Sequence, residues 1–153
     1  MRELIDSVIE QALAEAKQGR VTVYTFALYY DHESHAISVC IDTEEQSKAT
    51  VHRINTYNRK YLMPALAAGD LKGATLWRAN IGRSLSLGDF HMVNLSRAEL
   101  PMNVKPSEGF FVHLVQALVA AEANIASQAA SPESLLLCCS GSSNEIEYWW
   151  AAA

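Results

Sequence analysis

The ten residues from Val21 to Tyr30, VTVYTFALYY, restrict the possible folds more than any other stretch. In an extended strand Tyr24, Phe26 and Leu28 fall on one side and Val21, Val23 and Ala27 on the other. Neither side is suited to water, so the strand needs neighbours along both edges and cover over both faces. The rest of the chain must supply them. Its 153 residues suffice for one real core, because a domain of that size buries roughly two-thirds of its unfolded surface. Hydrophobic residues make up 50% and charged residues 19% of the chain, which excludes a disordered polypeptide. No linker, composition shift, repeat or low-complexity tract divides it, and a single domain over residues 1–153 is expected.

The flanking segments supply candidate partners. Ile5, Val8, Ile9, Ala12, Leu13 and Ala16 follow helical spacing, which predicts an amphipathic first helix stopped by a left-handed Gly19. After the polar break Asp31–His35, Ile37, Val39 and Ile41 alternate with Ser38 and Cys40, which predicts a hairpin. Thr43 stands three residues before Gln46 in a capping-box pattern, with Glu44 and Glu45 at the positive end of a second helix that Pro64 should kink or end. A third strand is expected within Leu85–Leu95, where Gly88-Asp89 makes a turn or bulge. A third helix, capped by Ser107, carries Phe111, Leu114, Val115, Leu118 and Ile125. Ser134–Ser140 reads as a buried strand that Glu145–Trp150 can pair with across a Ser-rich turn. The expected fold is α+β: a mixed, mostly antiparallel sheet of about four to five strands with helices packed mainly on one face.

Composition narrows the function classes. The formal charge is -5 with 12 basic residues scattered along the sequence, Arg59-Lys60 being the nearest to a cluster, so neither nucleic acid nor an anionic membrane is an expected partner, and a basic protein is. The start, MRELID, interrupts any apolar signal region with charge. Cys40, Cys138 and Cys139 sit in apolar runs as an odd set, which reads as reduced core thiols of a cytoplasmic protein.

The segment Phe26-Ala27-Leu28-Tyr29-Tyr30-Asp31, followed after a short gap by Asp42-Thr43-Glu44-Glu45 opening a helix, resembles the bacterial family catalogued as domain of unknown function 4303. The similarity covers chiefly the first 60 residues and is looser around Phe90–Leu95 and the C-terminal apolar strand; the tryptophan-rich segment familiar from that family is reduced to Trp77-Arg78. Small acidic proteins of this kind are often encoded beside secreted bacterial toxins, so the resemblance implies immunity, the binding and blocking of one cognate toxin. It supplies no catalytic residue.

Several constellations carry chemistry in principle. Asp31, His32, Glu33 and His35 are metal-ligand types within five residues, and equally a solvated hairpin tip. Asp42, Glu44 and Glu45 suit acid-base work, and equally a capped helix start. Cys138 or Cys139 beside His91 or His113 would make a nucleophile pair, and equally a buried hydrophobe. There is no phosphate loop, dinucleotide fingerprint or nucleophile elbow. No catalytic residue, metal or cofactor is therefore assigned. The expected function is non-enzymatic: occlusion of a basic toxin by Tyr29, Tyr30, Asp31, Glu33, Asp42, Glu44 and Glu45. The alternative is a small enzyme or ligand-binding module with a cleft near His91, His113 or the Asp31–His35 loop.

Overall fold

In a computed structural model describing Met1–Ala153, helix α1 (Arg2–Gln18) buries the six apolar positions its periodicity picks out. Its stop differs from expectation by one residue. Gly19 keeps helical angles (φ -76) and Arg20 takes the left-handed conformation (φ 54). The Val21 N–H reaches back to the Ala16 carbonyl at 2.9 Å. This six-to-one closure places the left-handed residue at position 20 and turns Val21 against the core.

Strand β1 (Thr25–Asp31) starts later than its apolar run, with Val23 making only a single bridge to Ala129. β1 pairs antiparallel with β2 (Ala36–Asp42) in the register Thr25 to Asp42 and Asp31 to Ala36. The sheet order is β3-β2-β1-β4-β5, with β3 at Met92–Glu99, β4 at Leu136–Cys139 and β5 at Tyr148–Ala151. Only β1 and β4 run parallel; every other pair is antiparallel. The fold is α+β, as the element pattern predicts.

The period-two alternation divides the core. Phe26, Leu28, Tyr30, Ile37, Val39, Ile41, Leu137 and Cys139 face α1 and helix α4 (Glu108–Ala126), which lie together on one side of the sheet. Ala27, Tyr29, Cys40 and Cys138 face the other side, where Phe90, Leu85, Leu87 and Ile146 cover them from irregular segments. By length and composition α4 is apolar enough to cross a membrane; here it buries Phe110, Phe111, Leu114, Ala117, Leu118 and Ile125. Full burial of one such aliphatic side chain stabilises by about 1.5–3 kcal/mol, so this stripe accounts for the helix's position. The Ser107 side chain makes no cap bond; its carbonyl instead accepts from Phe110 and Phe111 N–H.

The third strand lies further along than Leu85–Leu95. Leu87–Asp89 forms a 3-10 turn at the expected Gly88-Asp89 break, Phe90 drops into the core, and pairing begins only at Met92. A register shift between Val39 and Ile41, with Asn94 at φ 51, marks a bulge in this edge pairing. Helix α2 (Glu44–Ala67) is capped by Thr43, whose hydroxyl accepts from Gln46 N–H at 3.2 Å, but the reciprocal half of the capping box is missing: the Gln46 side chain donates to the Asp89 carbonyl and Asp42 takes the Thr43 N–H. It passes Pro64 by one short turn before Gly69 (φ 70) reverses the chain into the short helix α3 (Leu71–Ala74).

Candidate functional site

The hairpin tip is closed upon itself. Asp31 Oδ1 accepts from the Glu33 and Ser34 N–H groups at 3.0 and 3.2 Å, and the Ser34 hydroxyl donates to Oδ2. Arg97 completes the set with an ion pair at 3.2 Å. The bonds from Ser34, with lesser help from Arg97, hold the Asp31 carboxyl down at about 2. His35 bonds to the Tyr30 hydroxyl at 2.8 Å and the Pro101 carbonyl at 3.2 Å, and His32 stacks on Phe111. These side chains are committed to packing the turn, and no group of three or more His, Cys, Asp or Glu is arranged to hold a metal ion.

At the other end of β1 an open groove of about 690 Å³ runs beside the start of α2, lined by Arg20, Tyr24, Thr43, Glu44, Glu45, Gln46 and His91 among others. Asp42 is fully buried, its Oδ1 accepting from the Thr43 and His91 N–H groups at 3.0 and 3.1 Å. Its Oδ2 is buried without a partner, and burial pushes its carboxyl above the usual range despite those two bonds. Glu44 is exposed and paired with Lys48 at 2.6 Å.

The seven expected contact residues therefore do not share one surface. Tyr29 and Tyr30 are 6% and 5% exposed and Asp42 is 0% exposed, so none of the three presents itself to a partner. Asp31 and Glu33 lie at one end of the hairpin and Glu44 and Glu45 beyond the other, roughly 20 Å apart at the rise of a strand. Their closeness in sequence comes from the two strands that separate them. The side chains of the alternative cleft are dispersed too: His91 lines the groove beside α2, His32 and Glu33 another surface, and exposed His113 neither. Cys138 and Cys139 are completely buried and burial pushes both thiols up to about 12, which removes the nucleophile reading.

Two surfaces that the sequence reading passed over stand out. The first is a groove of about 550 Å³ between α4 and β5, floored by Phe111, Val112, Val115, Tyr148 and Trp150. Glu108 lines one end. Further along α4, Glu122 accepts from the Trp150 indole N–H at 3.2 Å. Beyond Lys105 the chain contains five glutamates and no Lys or Arg at all.

The second is an arm built by α2 beyond its first turns, α3, and the segment returning to Arg83. Ser47 and Thr50 bury the root of α2, but between residues 51 and 83 only Ala74 is buried. Tyr61 stacks on Trp77 with ring centroids 4.6 Å apart, and Asn55 exchanges bonds of 2.8 and 2.9 Å with the Asn80 backbone, tying the return segment to α2. Seven of the 12 basic residues lie between Lys48 and Arg83 with Asp70 as the one acid, so this stretch carries +6 while the remainder carries -11. The basic residues are thus concentrated rather than scattered.

Arg83 fastens the arm to the sheet. Its guanidinium donates to the Tyr24 carbonyl at 2.6 Å, the Thr25 hydroxyl at 3.1 Å and the Ser134 carbonyl at 2.8 Å, and it lies 3.7 Å over the Tyr24 ring.

Compared with family models, curated proteins and solved structures, the chain matches none.

Proposed function

We propose that this is a non-enzymatic binding protein of the toxin-immunity kind, which occludes a basic protein partner with the groove between α4 and β5. The observation that carries the reading is that groove: an apolar, aromatic floor with Glu108 in its lining, in a segment without a single Lys or Arg. Aromatic side chains anchor interfaces by burying large, rigid area, and a rim of one charge sign steers an oppositely charged partner and rejects others. The groove is open and mostly apolar, a shape suited to a protruding protein segment.

The resemblance of Phe26–Asp31 and Asp42–Glu45 to immunity-associated bacterial proteins supports the choice of a toxin as that partner. The contact face shifts from the central hairpin, whose tyrosines are buried, to the β5 edge of the sheet. Co-expression with the product of the adjacent gene tests the idea. The expected results are protection of the cells and a co-purifying complex that weakens with salt and loses at least about tenfold in affinity on Tyr148→Ala, since central aromatic contacts commonly exceed 1.4 kcal/mol. No complex, or one indifferent to Tyr148, would sink it.

A further inference from the structure

We infer that two copies of this chain pair by a reciprocal exchange, the basic arm of each lying in the acidic-edged α4/β5 groove of the other. The inference rests on the groove reading above and names a second occupant for it.

The arm has no core of its own. An isolated helical hairpin is marginal in water because its stability comes from packing an apolar face. Beyond the rings of Tyr57, Tyr61 and Trp77, which pack on one another, apolar side chains are left open: Leu71 is 69%, Leu76 76% and Ile81 101% exposed. Such a surface on a projecting element needs a cover of matching chemistry.

Charge selects the cover. The arm at +6 is drawn to an acidic surface, while the rest of the chain at -11 repels a polyanion such as nucleic acid or an anionic bilayer. The same chain holds a surface of the required kind: an apolar groove with Glu108 in its lining, in a stretch beyond Lys105 that has five glutamates and no Lys or Arg. On α2, Arg53 to Lys60 spans about 10 Å, and Lys72 and Arg78 stand on the adjoining segment. Arg59, Lys60, Lys72 and Arg78 make no ion pair within the chain, so their charge is available.

Geometry excludes an arm folding into its own groove. The root of α2 sits with Leu87–Asp89 on the side of the sheet opposite α1 and α4, whereas the groove opens on the α4 side. A twofold pairing gives every arm a groove and every groove an arm, which closes the assembly; a one-way contact would leave an open chain.

Sedimentation velocity of the full chain, up to about 200 μM, at ~50 and ~500 mM NaCl tests the pairing. The expected result is a concentration-dependent dimer whose dissociation constant rises at least tenfold with salt. Arg59→Glu with Lys60→Glu, all on exposed positions, should weaken it by thirtyfold or more. Glu108→Lys with Gln116→Lys, which reverses the groove instead, should do the same. Mixed in equal amounts, the two variants should restore the dimer, because each then offers a complementary arm and groove; unchanged circular dichroism excludes misfolding as the cause.

A wild-type chain that stays monomeric, a dimer insensitive to both reversals, or a mixture that fails to pair would overturn the inference. So would a monomer whose arm instead carries it onto phosphatidylserine vesicles. Toxin capture through Tyr148 by a strictly monomeric chain would remove the pairing and keep the proposed function. Restored pairing in a chain that captures no toxin would do the reverse.

Discussion

Replacing Arg83 by alanine should open the arm without unfolding the sheet. Its guanidinium makes charge-assisted bonds to the Tyr24 and Ser134 carbonyls at 2.6 and 2.8 Å, a third bond to the Thr25 hydroxyl, and a cation–π contact 3.7 Å from the Tyr24 ring. Bonds to a charged group contribute about 1.5–3 kcal/mol each, and a partly exposed cation–π contact about 0.5–1. Arg83 is half-buried and Tyr24 O retains a bond from Leu136 N–H after the substitution, so the lower end applies. The loss is then about 3 kcal/mol, or roughly a hundredfold in the opening equilibrium of the segment Arg83 holds.

Hydrogen exchange by mass spectrometry reads this directly. Peptides covering residues 75–90 should exchange about a hundredfold faster in Arg83→Ala, with β1 and β4 peptides unchanged, because opening here is local. Arg83→Lys should recover about half of the protection in free-energy terms, since an ammonium carries the charge without the planar fork. Exchange altered by less than about threefold, or accelerated equally in β1, would refute the clamp.

Two further outcomes follow from buried groups. Asp42→Asn should be neutral or stabilising at pH 7: the folded carboxyl is raised by burial, so its contribution is intact below the ordinary carboxylate range and is lost as pH rises from there through the raised value. Urea melts should show the wild-type minus variant difference declining over that interval, and a difference that grows with pH would contradict the sign. Cys40, Cys138 and Cys139 are all 0% exposed, so the native chain should leave a thiol reagent unreacted and release three thiols only in denaturant; a rapidly reacting native thiol would contradict it.

The fold was legible wherever a periodic pattern met a two-sided core. The six buried positions of α1, the hairpin, the Thr43 cap and α4 follow from spacing alone, because a residue facing the core repeats at the period of its own element. β3 was misplaced for a physical reason. As an edge strand with a bulge it buries only Ser96 completely, and its alternation fades into that of the preceding turn. The left-handed stop at Arg20 was hidden for a different one: a six-to-one closure sets the position by hydrogen bonding, and the neighbouring glycine draws attention to itself.

The proposed binding surface was less legible because sequence proximity stood in for spatial proximity. Asp31 and Asp42 frame one hairpin and look like a cluster, but a strand advances about 3.3 Å per residue, so seven residues in β2 carry its two ends to opposite sides of the molecule. A net charge of -5 concealed more than it revealed. It is the sum of a basic arm and an acidic body, and each interacts with its own surroundings within a Debye length of about 8–10 Å. The signal was present as a run without Lys or Arg after Lys105, ending in Tyr148-Trp149-Trp150. Neither half of that signal suffices alone: missing cations describe many acidic segments, and aromatic residues near a terminus are often core. β5 joins them, being an edge strand that leaves Tyr148 46% exposed beside the flank of α4 that carries Glu108 and no cation. What would make the proposed surface selective is therefore the pairing of β5 with β4, a contact across the Ser-rich turn that places an aromatic edge against a helix without Lys or Arg.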